Sequence, residues 1–521
     1  MPFALVNDLH IGFALNTIYD QGGKSFEAPL WFFRAGGMTG DLVPALKDLK
    51  HDIGNMLNKA IAAIEDENDS LAGVLKNNIN FNEIKGKTKI PDQKWKDLLD
   101  HFNQPNFVLV NDNFEFPDLL GAASEYLIKY FADSAGKKGG EFFTPTPLVE
   151  NALKFLPIDE ISQNLSKNPS HVLRVGDPTA GSNTFLVKFH EAIAAALSKQ
   201  GLKDVEARQF AFFAQELKNT QVGLGVFNMF YHGLAKRLNP TETELHLGRR
   251  PEQGGIVARI NGNSISEYTP KIGEQSGKLD VVVANPPYGT DDYGVVYANS
   301  ARNHDGDRRW TAGVPTRSEG EWSFIQTITD LLSPSGVAVI VLPLGVLFRD
   351  GGKDFRQWLI EKDWLEGIVA APSNQFLTTS IPVCLMVLNK NKKKENKGGV
   401  YFINASNDFT KVGKFNQWNE ERAVNAWKTR EEIPHYSGFV EAERLRKANY
   451  TLSVNRFFAP PQEKIQYDPN QLLADIQKIE EESKARVEWL NDVFKQASRI
   501  WVKPESDTTE SLTKENDKND Q

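Results

Sequence analysis

The chain has 521 residues, 40% hydrophobic and 25% charged, which is the composition of ordinary globular protein at a length that allows roughly two to four domains. Its one cysteine, Cys384, excludes an internal disulfide framework and a cysteine-only zinc site, and no metal is expected. The net charge of −8 weighs against a chain that grips many phosphates by itself, because such proteins show a basic face.

The start, MPFALVNDLHIGF, has neither the basic segment nor the long apolar core of a signal peptide. No run reaches the roughly 18 apolar residues of a membrane helix. The longest apolar run, Val337 to Leu347, is broken by Pro343 and reads as a buried strand. A protein of the cytoplasm, away from any membrane, is expected.

Residues 1 to 30 show no pattern. From Gly40 to Leu127 the spacing is helical: Leu42, Leu46, Leu49, Ile53, Met56 and Leu57 recur at three and four residues, as do Leu119, Leu120, Ala123 and Leu127. Lys85 to Lys89 and Asn111 to Asn113 read as loops between them. This is either a small helical domain or a helical cap on the next one.

Beyond residue 140 the texture changes. Short apolar runs at Val172–Val175, Phe210–Ala214, Leu279–Ala284, Val337–Leu342 and Leu365–Ala370 alternate with helical stretches such as Thr184–Leu197 and Thr220–Leu234. That alternation predicts a mostly parallel sheet with helices on both faces. Val383–Leu388 and Gly399–Ile403 are expected to close it as antiparallel edge strands. The run Lys390 to Lys397 between them reads as a solvated hairpin tip, with a phosphate-backbone contact as the alternative. Leu472, Ile476, Ile479, Ser483, Val487, Leu490 and Phe494 mark one long amphipathic helix, packed on a partner helix or on its own domain. Residues 503–521 are polar and are expected to be disordered.

Asn285-Pro286-Pro287-Tyr288 directly follows the strand Asp280–Ala284, so a buried strand delivers a stiff turn at its carboxyl end, where open α/β sheets place ligands. These residue types suit a planar amine, whose lone pair is delocalised. The side-chain oxygen of Asn285 and the main-chain carbonyl of Pro286 can accept its two hydrogens and localise the lone pair. Tyr288 offers a face on which an extruded base can stack. The same tetrapeptide also serves as a plain strand-ending turn.

Asp177-Pro178-Thr179-Ala180-Gly181-Ser182 also follows a strand and opens a helix. Gly176 and Gly181 are five apart, which departs from the G-x-G-x-x-G pyrophosphate turn. A cofactor without phosphate fits better, and the sulfonium of S-adenosylmethionine, with Asp177 near its cationic methionine portion, is one. A helix-capping turn is the alternative. Glu216 ends the next strand, where a carboxylate can accept hydrogen bonds from a ribose diol. Gly139 to Pro147 holds two glycines, two prolines and two phenylalanines, either a shaped loop over a ligand or an interdomain linker.

Taken together, Asp-Pro-Thr-Ala-Gly-Ser, Gln-Glu-Leu and Asn-Pro-Pro-Tyr, preceded by Gly-Glu-Phe-Phe-Thr-Pro, resemble the motif series of the adenine N6 methyltransferases in its gamma order. More closely, the chain resembles the modification (M) subunit of Type I restriction–modification systems. Gly320 to Gln326, Pro334 to Pro343, Ala371 to Phe376 with Ile381-Pro382, and Asn449 to Phe457 carry that resemblance beyond the motifs.

The resemblance implies an α/β Rossmann-like methyltransferase core with an N-terminal helical domain and a long C-terminal helix. The bounds expected are 1–135 for the helical domain, 136–460 for the methyltransferase domain, 461–502 for an assembly helix and 503–521 for the tail. It implies that Asn285, Pro286, Pro287 and Tyr288 hold the target adenine. Glu141, Phe142, Phe143, Thr144, Pro145, Thr146, Thr179, Ala180, Gly181 and Glu216, with Asp177 and Ser182 of the same turn, would contact S-adenosylmethionine. Its expected partners are DNA, a specificity (S) subunit that reads the sequence, a restriction (R) subunit, and a second copy of the chain, two modification subunits sharing one specificity subunit. A bacterial or archaeal cytoplasm is the implied setting. Two other functions share the catalytic motif: methylation of a protein glutamine or of RNA, and a decayed, non-catalytic scaffold.

Overall fold

The computed structural model describes residues 50–66, 76, 80–82, 90–102, 144–168, 170–202, 210–232, 234, 256–261, 263–265, 278–289, 309–376, 380–413, 415–459 and 468–500. The chain divides into two compact units, Met1–Pro460 and Pro461–Gln521.

In the first unit, α1 (Ile53–Asp66) and α2 (Asp92–Phe102) form a helix pair around Ile53, Leu57, Ala60 and Leu99. The Asp92 carboxylate accepts hydrogen bonds from the Asp52 and Ile53 amides at 2.9 and 3.0 Å, satisfying donors that the start of α1 leaves open. The helical spacing expected at Leu42–Leu49 and Leu119–Leu127, and the two loops expected between them, lie outside the described residues.

The elements that follow are α3 (Thr146–Leu153), α4 (Ile158–Lys167), β1 (Leu173–Asp177), α5 (Thr184–Lys199), β2 (Phe210–Glu216), α6 (Asn219–Tyr231), β3 (Ile256–Asn261), β4 (Leu279–Ala284), α7 (Glu321–Leu331), β5 (Leu332–Pro343), α8 (Lys353–Glu361) and β6 (Leu365–Ala370). Then come β7 (Val383–Asn389), β8 (Gly399–Asn404), β9 (Phe409–Val412), β10 (Phe415–Trp418), α9 (Glu421–Thr429), β11 (Ser437–Glu441), α10 (Ala442–Lys447) and α11 (Val454–Phe458).

Nine strands form one sheet in the order β11-β8-β6-β7-β5-β4-β1-β2-β3, and β9 and β10 form a separate hairpin. β1 pairs in parallel with β2 on one side and β4 on the other. The chain therefore reverses its direction of travel across the sheet between β1 and β4, the place where a crevice opens above the carboxyl ends of strands.

The continuous apolar runs of the central strands follow from burial on both faces. Val337, Val339 and Val341 of β5 belong to one core beside α5, while Ala338, Ile340 and Leu342 belong to a second beside α7 and α8. β7 alternates in the same way: Val383, Leu385 and Val387 face the first core, and Cys384, Met386 and Leu388 the second. Each fully buried aliphatic side chain contributes about 1.5–3 kcal/mol, so this two-sided core dominates the stability of the sheet.

Two expectations change here. Val383–Leu388 is antiparallel but not an edge: β7 lies between β5 and β6. Gly399–Ile403 is parallel to β6, and β11 is the strand outside it. The unbroken apolar run of β7 fits that central position, since an edge strand needs only one buried face.

The lysine-rich run is mostly exposed, as expected of a solvated tip, with Asn391, Lys393, Lys394, Glu395 and Lys397 at the surface, but two of its lysines are engaged. Lys392 is buried, with its ammonium 2.6 Å from the Asp363 carboxylate and donating to the Gly399 carbonyl, and Lys390 lies 4.7 Å from the centre of the Trp364 ring. Aliphatic stems and paired charges let lysines close the amino end of this sheet.

The second unit contains α12 (Pro469–Ile500). Leu472, Ile476, Ile479, Val487, Leu490 and Phe494, the stripe read from the sequence, are all exposed, as are Leu473, Trp489 and Val493. Residues 503–521 lie outside the described residues. Among the described residues no helix is long and apolar enough to cross a membrane.

Candidate active site

β1 ends at Asp177, which is buried and accepts hydrogen bonds from the Thr179 amide at 2.8 Å and the Thr179 hydroxyl at 3.2 Å. Burial pushes its carboxyl up from 3.8 to about 7. The charge of Glu216 adds to that rise, and the two Thr179 bonds work against it.

The turn that follows is pinned to the tip of β2. The Ala180 amide donates to the Gln215 carbonyl at 2.9 Å, and the Gly181 amide donates to Glu216 Oε2 at 3.0 Å. The Lys218 amide donates to Glu216 Oε1 at 2.9 Å. These bonds leave lone pairs on both carboxylate oxygens for a diol. Burial raises the Glu216 carboxyl above its ordinary range.

Gly181 (φ +51) and Asn183 (φ +59) are left-handed, and a side chain at Gly181 would meet no atom of the described residues within 4 Å. Below this turn, α6 approaches so closely that a Cβ on Gly225 would stand 2.9 Å from the Gly181 carbonyl oxygen and from the Asn183 side chain. Asn228, also on α6, donates to the Ser182 carbonyl at 2.9 Å. The Ser182 hydroxyl lies 2.9 Å from that of Thr184, so this side chain serves the turn itself.

β4 ends beside β1, with Val282 opposite Gly176, and Asn285 begins the adjoining turn. Its carboxamide nitrogen donates to the Thr144 hydroxyl at 2.8 Å, which ties the segment ahead of α3 to the Asn285–Tyr288 turn. Pro145 caps α3 with extended backbone, and Thr146 begins the helix. Glu141, Phe142 and Phe143 lie outside the described residues.

Tyr288 differs from expectation. Rather than presenting an open face, it is 5% exposed and donates its hydroxyl to the Asn285 carboxamide oxygen at 2.5 Å. Burial holds its phenol well above the ordinary value, so it stays a neutral donor. The oxygen assigned to the substrate amine thus has an internal partner here.

The Tyr288 ring meets that of Phe376 edge-on, with centroids 6.2 Å apart. The stretch holding Phe376 was noted from the sequence without a role. Its signal is an aromatic just past a loop, Ala371 to Gln375, at the tip of β6. Among the described residues no cluster of three or more His, Cys, Asp or Glu could hold a metal.

The neighbouring tips of β1, β2 and β4 therefore carry a buried carboxyl, a left-handed glycine turn, a carboxylate with spare lone pairs and a carboxamide hydrogen-bonded at both ends. These suit a cationic nucleoside cofactor such as S-adenosylmethionine: Asp177 faces the need for a counter-charge, Glu216 that for a diol acceptor, and Gly181 that for close approach.

This strand order and the two neighbouring tips define an S-adenosylmethionine-dependent methyltransferase fold. Residues 115–466 match the N-6 DNA Methylase family, and residues 43–102 match the HsdM N-terminal domain. The chain belongs to the N-6 DNA methylase family, as its motif series implied.

It is similar to the Type I restriction enzyme MjaVII methylase subunit of Methanocaldococcus jannaschii, with 29% identity over 376 residues, 70% of this chain and 57% of that one. It is also similar to the Type I restriction enzyme MpnII methylase subunit of Mycoplasma pneumoniae, with 28% identity over 85% of this chain and 75% of that one. The fold matches the type I restriction–modification methyltransferase subunit of Streptococcus thermophilus with a TM-score of 0.62 at 22% identity, over 88% of this chain and 92% of that one.

Proposed function

We propose that this chain transfers a methyl group from S-adenosylmethionine to the N6 amine of adenine in a specific DNA sequence, as the modification subunit of a Type I restriction–modification complex. The observation that carries the proposal is the Asn285 carboxamide at the tip of β4, beside the Asp177–Glu216 cradle at the tips of β1 and β2. The names of the similar methylase subunits support the Type I setting, and the family's description favours DNA over a protein amide or RNA.

When bound, the cofactor supplies an electrophilic methyl on a sulfonium. Asp177 would balance the positive charge, and Glu216 would hold the ribose. The Asn285 oxygen and the Pro286 carbonyl accept the two amine hydrogens, so the nitrogen lone pair points at the methyl. The amine nitrogen would take the methyl that the bound cofactor supplies and would release one proton to water. Tyr288 and Phe376, buried and packed edge-on against each other, would back the place where an extruded base lodges rather than offer it an open face.

The remaining assignments are parts of the same proposal. Residues 1–135 would form a helical domain, 136–460 the methyltransferase domain and 461–502 an assembly helix. The exposed stripe of α12 would pack on a specificity subunit, two copies of this chain serving one such subunit, with a restriction subunit completing the nuclease. The complex would work in a bacterial or archaeal cytoplasm.

The test is reconstitution with the specificity subunit, methyl-labelled S-adenosylmethionine and target DNA, followed by nucleoside mass spectrometry. N6-methyladenine is the expected product. Label found only on cytosine or on protein overturns the assignment.

A further inference from the structure

Past the N-terminal helix pair, the large apolar side chains exposed among the described residues of the sheet unit are Leu217, Phe348, Ile381 and Val412. All four sit at the carboxyl edge of the sheet. Leu217 adjoins Glu216 in the cofactor crevice. The other three follow β5, precede the antiparallel β7 and tip the β9–β10 hairpin.

The hairpin is the best built of these features. Its root is fixed: Trp418 is buried and stacks on Phe155 with centroids 6.1 Å apart. Asn416, also buried, donates to the Ser373 carbonyl at 3.0 Å, and its own carbonyl accepts from Gln375 at 2.8 Å. Ser373 and Gln375 belong to the loop that delivers Phe376 to Tyr288. The hairpin is therefore held by the loop that leads from β6 to Phe376.

Toward the tip, Thr410, Lys411, Val412 and Gly413 are exposed, and the Thr410 hydroxyl accepts from the Asn419 side chain at 3.1 Å. Lys411 pairs directly with Asn416 across the ladder and so lies on the face that grips the Ser373 loop. From Phe409 to Trp418 the sequence has two lysines, Lys411 and Lys414, and no acidic residue, in a chain whose net charge is −8. Asp408, just ahead, is engaged by the Tyr436 hydroxyl and lies 4.0 Å from Arg422. A tip with an exposed valine and an exposed lysine, on a hairpin bonded at its root to the loop ahead of Phe376, is complementary to a groove flanked by phosphates.

We propose that the β9–β10 hairpin is a duplex-DNA contact built into this chain, with Lys411 against a backbone phosphate and Val412 against the groove next to the extruded adenine. The inference rests on the DNA methyltransferase reading. It also locates sequence-independent grip on a chain too acidic to bind DNA over its whole surface.

The test uses the full chain assembled with its specificity subunit and two fluorescent duplexes, one carrying the methylation site and one scrambled, titrated over a range of potassium chloride concentrations. Lys411→Ala is expected to weaken both duplexes alike and to reduce the slope of log affinity against log salt by about 0.9, one phosphate contact. Lys411→Arg is expected to restore the slope. Lys393→Ala, at the amino end of the sheet where it pairs with Glu160 at 2.5 Å, is expected to leave it unchanged.

An unchanged slope for Lys411→Ala in a complex that still methylates its target overturns the hairpin proposal alone. Loss of the specificity subunit from that variant makes the hairpin a protein contact and overturns it too. A native complex that labels no DNA overturns the enzyme reading instead.

Discussion

Tyr288 donates its hydroxyl to the carboxamide oxygen of Asn285 at 2.5 Å, so the acceptor that would bind the substrate amine is engaged before any base arrives. Adenine must displace that hydroxyl. Tyr288→Phe keeps the aromatic surface and removes the competitor. A typical hydrogen bond is worth about 0.5–1.5 kcal/mol, so the KM for DNA should fall by up to about tenfold with kcat nearly unchanged. Steady-state kinetics decide it. A loss of kcat would mean that the hydroxyl orients Asn285 during transfer.

Asn285 is also held at its other end, where its nitrogen donates to Thr144. Asn285→Ala removes the amine acceptor without touching Asp177, Gly181 or Glu216. Methyl transfer should drop by about a hundredfold to a thousandfold, the usual cost of removing one group that stabilises a transition state. Cofactor affinity, measured by calorimetry, should stay within about twofold. Weak cofactor binding or loss of folding would show that the residue is structural.

Glu216 accepts the amides of Gly181 and Lys218, so it both shapes the cofactor turn and faces the crevice. Glu216→Ala should weaken S-adenosylmethionine by about tenfold to a hundredfold, since a hydrogen bond to a charged group is worth about 1.5–3 kcal/mol. Glu216→Gln keeps one acceptor and should fall between the two. Calorimetry on both variants checks the order, and an alanine variant that binds normally removes Glu216 from the site.

Most of the sheet and the neighbouring tips were legible because they depend on local pattern. An apolar run such as Val281–Ala284 or Val337–Leu342, followed by a glycine or proline turn, marks a buried strand and its end without knowledge of its neighbours. What stayed hidden depends on long-range pairing. The unbroken apolar run Val383–Leu388 fits burial on both faces, but nothing within it names β5 and β6 as its neighbours. The inward turn of Tyr288 and its partner Phe376 depend on how the tips of β4 and β6 meet across the sheet. Lys392 reads as a surface residue until Asp363 and the Gly399 carbonyl are brought to it.

The Asp177 carboxyl, raised from 3.8 to about 7 chiefly by burial, makes cofactor binding depend on pH. A cationic ligand favours the ionised carboxylate, so S-adenosylmethionine affinity should be constant above about pH 7 and weaken as pH falls below it. Folding without cofactor should show the opposite trend. Between about 4 and 7 the folded chain holds a proton that the unfolded chain has lost, so this group's contribution to stability falls as pH rises through that window. Asp177→Asn should flatten both profiles. Calorimetry and thermal melts across this range test it, and a pH-independent affinity in the native protein would place Asp177 away from the positive charge.

Gly225 stands where α6 supports the cofactor turn, and an added methyl there would come within 2.9 Å of the Gly181 carbonyl and the Asn183 side chain. The direction of the effect is diagnostic. Alanine in a helix interior is ordinarily favoured over glycine by about 0.8–1.0 kcal/mol, so a position with room would gain stability. Overpacking costs about 1–3 kcal/mol, because backbone on the far side cannot rotate away as a flexible side chain can. Gly225→Ala should therefore lower the melting temperature and weaken S-adenosylmethionine binding together, since the turn that moves is the one carrying Gly181. A stabilised variant with native cofactor affinity would show that α6 can withdraw from the turn and that the close approach has no part in holding it.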